Sequence, residues 1–203
     1  MVHYKFEGDV TSITPELGTS PPFDLQSTLT VLLDYEGDTP SINPDPAIGQ
    51  YEGVIDSLTI NVGTYTVTIG PQVFNNGLFN TILLSDQPPG GIDALLLTSG
   101  LVGGGAINGA TPVSLVINLQ DPTGSVFESA ALGFIGPLPP SISAFQGGNN
   151  FYQLLFDTGD SVSGSITSVS LTAVPLPPAV ILFGVGLVAL IGLGAGRWRS
   201  KQF

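Results

Sequence analysis

Apolar and polar residues alternate with a period of two along much of the chain, as in β-strands that bury one face. In "SLTINVGTYTVTIG" the apolar residues on both sides of Gly63-Thr64 share a face, which predicts a hairpin with a tight turn. The same period appears in "VSLVINL" and "SVSLTAV". The residues predicted to share a face there are Val113, Leu115, Ile117 and Leu119 in the first stretch and Val169, Leu171 and Ala173 in the second.

Shorter apolar runs predict further strands in "STLTVLLDY", "FNTILLSD", "IDALLLTS" and "NFYQLLFD". The opening "MVHYKFEGDV" predicts another strand, with Tyr4 and Phe6 on one face. Clusters rich in Gly, Pro, Asn and Asp, such as "DQPPGG" and "VGGGAING", separate these runs as turns. Because no amphipathic helix stands out, the pattern predicts an all-β domain over residues 1–173, an antiparallel sandwich or jelly roll.

The charge distribution bears on the partners of this domain. All sixteen carboxylates lie between Glu7 and Asp160, and Lys5 is the one basic residue before the last seven positions. The region before the tail therefore has a formal charge of −15. Such a surface repels phosphate backbones, which argues against nucleic-acid binding.

The residue inventory also limits the chemistry. The chain has no cysteine, so disulfides, thiol catalysis and thiolate metal sites are excluded. Its one histidine, His3, lies beside the N-terminus, where we expect a frayed end. A Ser-His-Asp triad would have to use this histidine. No signal peptide is visible at the start, which suggests a removed signal, a start codon placed too late, or a tail-anchored protein that needs no signal.

The C-terminal tail has three parts. A Pro-rich segment at 174–178 precedes Ala179–Gly196, eighteen residues without a charge. As a helix this run would rise about 27 Å, close to the roughly 30 Å hydrocarbon core of a bilayer. Basic residues at a membrane end stay in the cytoplasm; here they are Arg197, Arg199 and Lys201, within 197–203. The tail therefore predicts one transmembrane helix with the acidic domain outside.

This tail, "VPLPPAVILFGVGLVALIGLGAGRWRS", resembles the PEP-CTERM sorting signal in its VPLP-type variant. The matching sorting motif is Val174, Pro175, Leu176 and Pro177, with Arg197 and Arg199 at the basic end. The resemblance implies an exported bacterial protein that an exosortase-like membrane protease cleaves near the motif. It also implies an inner-membrane-anchored precursor that later reaches the cell surface or the extracellular matrix.

Two stretches of the domain raise the question of a binding or catalytic site. "DYEGDTPSINPDP" gathers Asp34, Glu36, Asp38 and Asp45, hard oxygen ligands that suit Ca²⁺, although their spacing is not that of an EF-hand. The alternative is a solvated acidic loop. "LLFDTGD" contains the Asp-Thr-Gly triplet of aspartic proteases at Asp157. That chemistry needs two carboxylates sharing a proton, and no second triplet occurs, so an ordinary turn is the favoured interpretation.

Aromatic residues offer a third possibility, since exposed rings stack on sugars and buried rings fill a core. The candidates are Tyr51, Tyr65, Phe145, Phe151 and Tyr152, and we expect them in the core.

Taken together, the sequence predicts a non-enzymatic protein with no cofactor, or calcium at most, that is structural or adhesive in an exopolysaccharide or biofilm matrix. The alternative hypothesis is a membrane-anchored carbohydrate- or calcium-binding module.

Overall fold

The computed structural model describes residues 2–14, 17, 22–37, 39–69, 80–87, 91–101, 103–127, 129–132, 142–145 and 149–171. Contacts along the chain divide it into two units, residues 1–172 and 173–203. All described residues belong to the first unit. The predicted sorting motif, transmembrane helix and basic end therefore lie outside the described residues.

Ten antiparallel strands form one continuous sheet in the described part of the chain. In chain order they are β1 Val2–Ile13, β2 Thr28–Tyr35, β3 Ile48–Glu52, β4 Ile55–Val62, β5 Tyr65–Ile69, β6 Thr81–Ser85, β7 Asp93–Gly100, β8 Pro112–Asp121, β9 Phe151–Phe156 and β10 Ser161–Leu171. A 3₁₀ turn at Ile142–Ala144 precedes β9. The order across the sheet is β3-β6-β7-β8-β9-β10-β1-β2-β4-β5, and the all-β prediction is confirmed.

The sheet curls so that the two ends of this order come close together. Edge strand β3 is joined to β4, second from the opposite end, by Gly53 and Val54 alone. Gly53 N–H donates to the Asn80 carbonyl at 2.8 Å. The Tyr65 hydroxyl of the other edge strand donates to the Gly105 carbonyl, in the loop after β7, at 2.8 Å. The curled sheet therefore encloses one apolar core, to which every strand contributes.

Four β-bulges keep the inward face of the strands continuous. The extra residues in the register are Thr11 in β1, Asp56 in β4, Val113 in β8 and Thr167 in β10. At each bulge the inward side chains change from even to odd numbers or the reverse. In β10, for example, Val162 and Ile166 lie inward before the bulge and Val169 after it. A strand without the bulge would turn its remaining apolar residues outward.

The structure corrects two details of the sequence-based pattern. Val113, predicted to share the buried face of β8, is the bulged residue and is half-buried, while Pro112 is buried in its place. Strand β3 was not predicted, because its five residues include Gly49 and Gln50 and alternate weakly. The predicted turn at Gly63-Thr64 is confirmed, with Gly63 at a φ of +58°, a backbone conformation that glycine adopts without strain.

Close backbone packing at the β1–β10 pair depends on Gly164. A Cβ atom added there would overlap the carbonyl oxygen of Asp9 and come within 2.8 Å of the Tyr152 ring. The same ring lies 3.3 Å from where a Cβ of Gly8 would be. Tyr152 is fully buried, so its ring covers both glycines from the inside of the sheet.

We expect Gly164→Ala to lower the free energy of unfolding by about 2–3 kcal/mol, because backbone and a buried ring must both move to admit the methyl group. Urea unfolding monitored by circular dichroism would measure the loss. Gly105→Ala is the matched control, since no atom lies within 4 Å of its added Cβ. Equal stability of the two variants would show that the β1–β10 pair is not tightly packed.

Candidate functional site

The Asp-Thr-Gly triplet forms the turn of the β9–β10 hairpin. Gly159, at a φ of +88°, donates its N–H to the Phe156 carbonyl at 3.0 Å. Asp157 is exposed and is paired with the backbone of Thr111 in two ways. Its N–H donates to the Thr111 carbonyl and its Oδ1 accepts from the Thr111 N–H, both at 2.9 Å. This is the geometry of the turn interpretation, in which the carboxylate anchors the hairpin to the start of β8.

Asp160, the fourth residue of this turn, is a buried carboxylate that is only 6% exposed. The Thr14 hydroxyl donates to its Oδ1 at 3.1 Å, and the Thr158 hydroxyl donates to its Oδ2 at 2.5 Å. Thr14 in turn accepts from the Ser161 N–H at 2.9 Å. The side chain of Asp160 therefore connects the end of β1 to the start of β10.

A second tight turn faces this one. Ile107 and Ala110 exchange backbone hydrogen bonds of 2.8 and 2.9 Å around Asn108-Gly109. Asn108 and Gly109 both have positive φ, +51° and +90°, as a type I′ turn requires. The Asn108 amide Nδ2 donates to the Leu17 carbonyl, which fixes the turn against the segment after β1. The "NG" dipeptide is a signal for such a turn, although the sequence pattern predicted only a turn somewhere within "VGGGAING".

The two turns enclose an open cleft of about 550 Å³. The described residues that line it are Thr14, Asn108, Ala110, Thr158, Gly159 and Asp160. Its walls combine polar groups with nearly as much apolar surface, although Ala110 is the one described lining residue with a wholly apolar side chain.

The three predicted calcium ligands that the structure describes, Asp34, Glu36 and Asp45, form no metal-binding group. Asp34 lies in β2, where one carboxylate oxygen contacts the His3 ring and the other accepts from the Ser57 hydroxyl at 2.5 Å. Asp45 uses Oδ1 to accept from the Ala47 N–H at 2.9 Å within its own loop. Glu36 is exposed, and Asp38 lies outside the described residues. Across the described ranges, no group of three or more His, Asp or Glu side chains is placed to hold a metal ion.

His3 lies within strand β1, not in a frayed end as expected. It is paired across the sheet with Asp34, and Asp34 with Ser57, so the three form a row on the outer face. The carboxylate lies between the imidazole and the hydroxyl in this row. A serine triad needs the imidazole in the middle, so the row lacks the contact between nucleophile and base.

Two buried carboxylates, Asp93 and Asp121, hold the loops before β7 and after β8 by hydrogen bonds. Asp93 accepts from the backbone N–H groups of Gln87, Val126 and Phe127 at 2.8 to 3.0 Å. Asp121, its cross-strand neighbour, accepts from the N–H and hydroxyl groups of Thr123 and Ser125.

The surroundings of Asp121 and Asp86 shift the pKa values of these two carboxyl groups in opposite directions. The Ser125 backbone N–H, followed by the Thr123 donors, lowers the pKa of Asp121 to about 2. Burial, and then the charge of Asp93, raises the pKa of Asp86. The oxygens of Asp93 and Asp121 are thus occupied by donors from adjacent loops, and the two carboxylates hold those loops in place.

Four of the five aromatic candidates are core residues, as predicted. Tyr51, Tyr65, Phe145 and Tyr152 are buried. Phe151 is the exception, with 39% of its surface exposed, because it precedes Tyr152 in β9 and faces the opposite side of the sheet. A single exposed ring among the candidates is a weak basis for a stacking platform.

The sorting residues Val174–Pro177 and the basic residues Arg197, Arg199 and Lys201 lie outside the described residues. Within the part of the chain that the structure describes, no helix is long and apolar enough to cross a membrane. Compared with known proteins, the chain matches no family model, no curated protein and no solved structure.

We expect Asp121→Asn to lower the melting temperature at pH 7, because the amide accepts fewer and weaker hydrogen bonds. A depressed pKa stabilises the fold above the unfolded value of about 3.9, and this contribution is lost as pH falls towards the folded value of about 2. The difference in melting temperature between the two proteins should therefore shrink between pH 4 and pH 2. Calorimetry across this range measures it, with Asp24→Asn, in an exposed turn, as the control. A constant difference would contradict the assigned role of Asp121.

Proposed function

We propose that the protein is an exported bacterial surface or extracellular-matrix protein, structural or adhesive rather than catalytic. Sorting would depend on the tail, with Val174–Pro177 as the motif that an exosortase-like protease recognises. The structural role proposed for the domain is supported by the hydrogen bonds that its carboxylates make to the backbone. Asp93, Asp121 and Asp157 each hold a turn or loop through backbone N–H groups. Such groups build a rigid display scaffold.

The proposal includes a finer architecture than the curled sheet. The two halves of the sheet would face each other as in a sandwich or jelly roll. Residues 179–196 would form the transmembrane helix of the precursor, and 197–203 would remain in the cytoplasm. After cleavage near the motif, the acidic domain would be released to the cell surface or the medium.

The −15 charge of the domain has a role in this proposal. An acidic surface repels an acidic polysaccharide, so association with such a polymer needs divalent cations as bridges. Calcium would then bind diffusely, at exposed carboxylates such as Glu36 and not at a built site. The second candidate function is a membrane-anchored carbohydrate- or calcium-binding module, for which the exposed ring of Phe151 would supply one stacking contact.

The sorting proposal predicts the C-terminus of the native protein. Mass spectrometry of the C-terminal peptide, from envelope and medium separately, should find a terminus close to 174–178. Replacing Pro175 and Pro177 by alanine should cause uncleaved protein to accumulate in the membrane, because the prolines hold the segment extended for the protease. A double substitution at Pro139 and Pro140, in the first unit, is the control. A native terminus at Phe203 would contradict the proposal.

The bridging role of calcium predicts a small effect on folding. At 10 mM calcium we expect the melting temperature to change by no more than about 1 °C, since exposed charges bind ions weakly. The same calcium should increase co-sedimentation with an acidic polysaccharide such as alginate. A dedicated site with a Kd of about 0.1 mM would instead add about 2.7 kcal/mol to the free energy of unfolding. That result would favour the calcium-binding module.

A further inference from the structure

The cleft between the Asn108-Gly109 turn and the Thr158-Gly159 turn has the size and chemistry of a small-ligand site. Its volume of about 550 Å³ falls within the range of typical ligand pockets, about 300–1,000 Å³. Most such pockets are predominantly apolar, whereas polar and apolar surface are about equal in this one. A polar lining of hydroxyl, amide and carboxylate groups suits a ligand that is itself rich in hydroxyl groups.

Asp160 supplies unused hydrogen-bonding capacity at the cleft. A carboxylate has about four lone-pair sites, and the two contacts from Thr14 and Thr158 occupy two of them. Both contacts come from neutral hydroxyl groups, and among the described residues no cation pairs with the negative charge of this buried side chain. Ligand hydroxyl groups entering the cleft can donate to the remaining sites. A hydrogen bond to a charged acceptor is one of the stronger kinds.

Asn108 is held in place to complete the site. Its amide donates to the Leu17 carbonyl, which leaves the side-chain Oδ1 as an acceptor at the cleft. Its φ of +51° is unusual for a residue other than glycine, and the turn around it is fixed by two backbone hydrogen bonds. Acceptors therefore come from both walls of the cleft, an arrangement that suits a ring whose several hydroxyl groups act as donors.

The charges of the cleft and of the domain distinguish among possible ligands. A Ca²⁺ ion takes six to eight oxygen ligands, commonly from several carboxylates, and the described lining has one carboxylate. An acidic sugar would meet both this carboxylate and the −15 charge of the domain. A neutral sugar meets neither obstacle.

We propose that this cleft binds a neutral hexose unit of a polysaccharide, with Asp160 accepting from sugar hydroxyl groups and Asn108 and Thr158 completing the contacts. This assignment rests on the proposed matrix function and names the class of glycan that the domain holds. The ligand is either a unit within a polymer or a free sugar, since both offer the same hydroxyl groups.

Binding is tested with the full-length chain in detergent by calorimetric titration. The probes are glucose, mannose and galactose, neutral hexasaccharides of each, and an alginate hexasaccharide. We expect at least one neutral probe to bind and the alginate probe not to bind without calcium. Stronger binding of the hexasaccharide than of its monosaccharide would identify a polymer as the natural source. Absence of binding by every neutral probe would overturn the assignment.

Variants locate the site. Asp160→Asn should weaken binding by about tenfold or more, because a hydrogen bond to a charged group becomes one to a neutral group. Asn108→Gly keeps the positive φ, removes the side-chain acceptor and should also weaken binding. Asp24→Asn, the same chemical change in an exposed turn elsewhere, should not. Thermal melting of each variant separates lost binding from lost folding, and Asn108→Gly remains informative if Asp160→Asn unfolds.

Two further outcomes would also overturn the assignment. Neutral sugars that bind equally well to both cleft variants would leave the matrix function standing and show that the sugar site lies elsewhere. Calcium binding that disappears in Asp160→Asn would make the cleft a cation site. A failure of sorting would appear separately, in the C-terminal mass of the native protein, so the two proposals fail independently.

Discussion

A continuous apolar face within a single curled sheet is the constraint on which the rest of the structure depends. Ten strands share one core, so every strand must keep its apolar residues on the same side through the bends. The bulges at Thr11, Asp56, Val113 and Thr167 do this by shifting the register one residue at a time. A bulge also increases local twist and bends the strand. The same four positions therefore preserve burial and help the sheet to curl. The curl brings β3 near the opposite end of the strand order, where only two residues join it to β4.

The scarcity of basic residues determines how the buried carboxylates beside the loops are paired. Lys5 is the only Lys or Arg residue in the described ranges, and it pairs with Glu7 on the outer face. Buried carboxylates must therefore be satisfied by neutral donors, and Asp93 and Asp121 take theirs from the backbone and hydroxyl groups of adjacent loops. Hydrogen bonds of this kind fix loop geometry at short range. Because they lie within the fold, dissolved salt screens them less than it screens surface ion pairs.

Features that depend on residues close together in the chain could be predicted from the sequence, whereas features that join distant segments could not. Period-two alternation and short apolar runs together predicted nine of the ten strands. They also placed Tyr4 and Phe6 on one face of β1, which is the buried face. The bulge in β10 was also visible in principle, since inward residues pass from Ile166 to Val169, an odd step. The pairing of His3 with Asp34 and the cleft were not predictable in this way. Both join segments far apart in the chain, and only the strand order brings them together.

The cleft differs from the other carboxylate sites in one physical respect. The oxygens of Asp93 and Asp121 are consumed in holding their own loops, whereas Asp160 needs only two hydroxyl groups and retains acceptor capacity at an open surface. Its walls are already fixed, one by the Asp157 contacts to Thr111 and the other by the Asn108 contact to the Leu17 carbonyl. A ligand that enters such a preformed site pays little ordering entropy. Modest hydrogen bonds to hydroxyl groups can then yield useful affinity, and repetition along a polymer would multiply it. A preformed cleft on a sheet with fixed loops is therefore what the proposed polysaccharide-binding role requires.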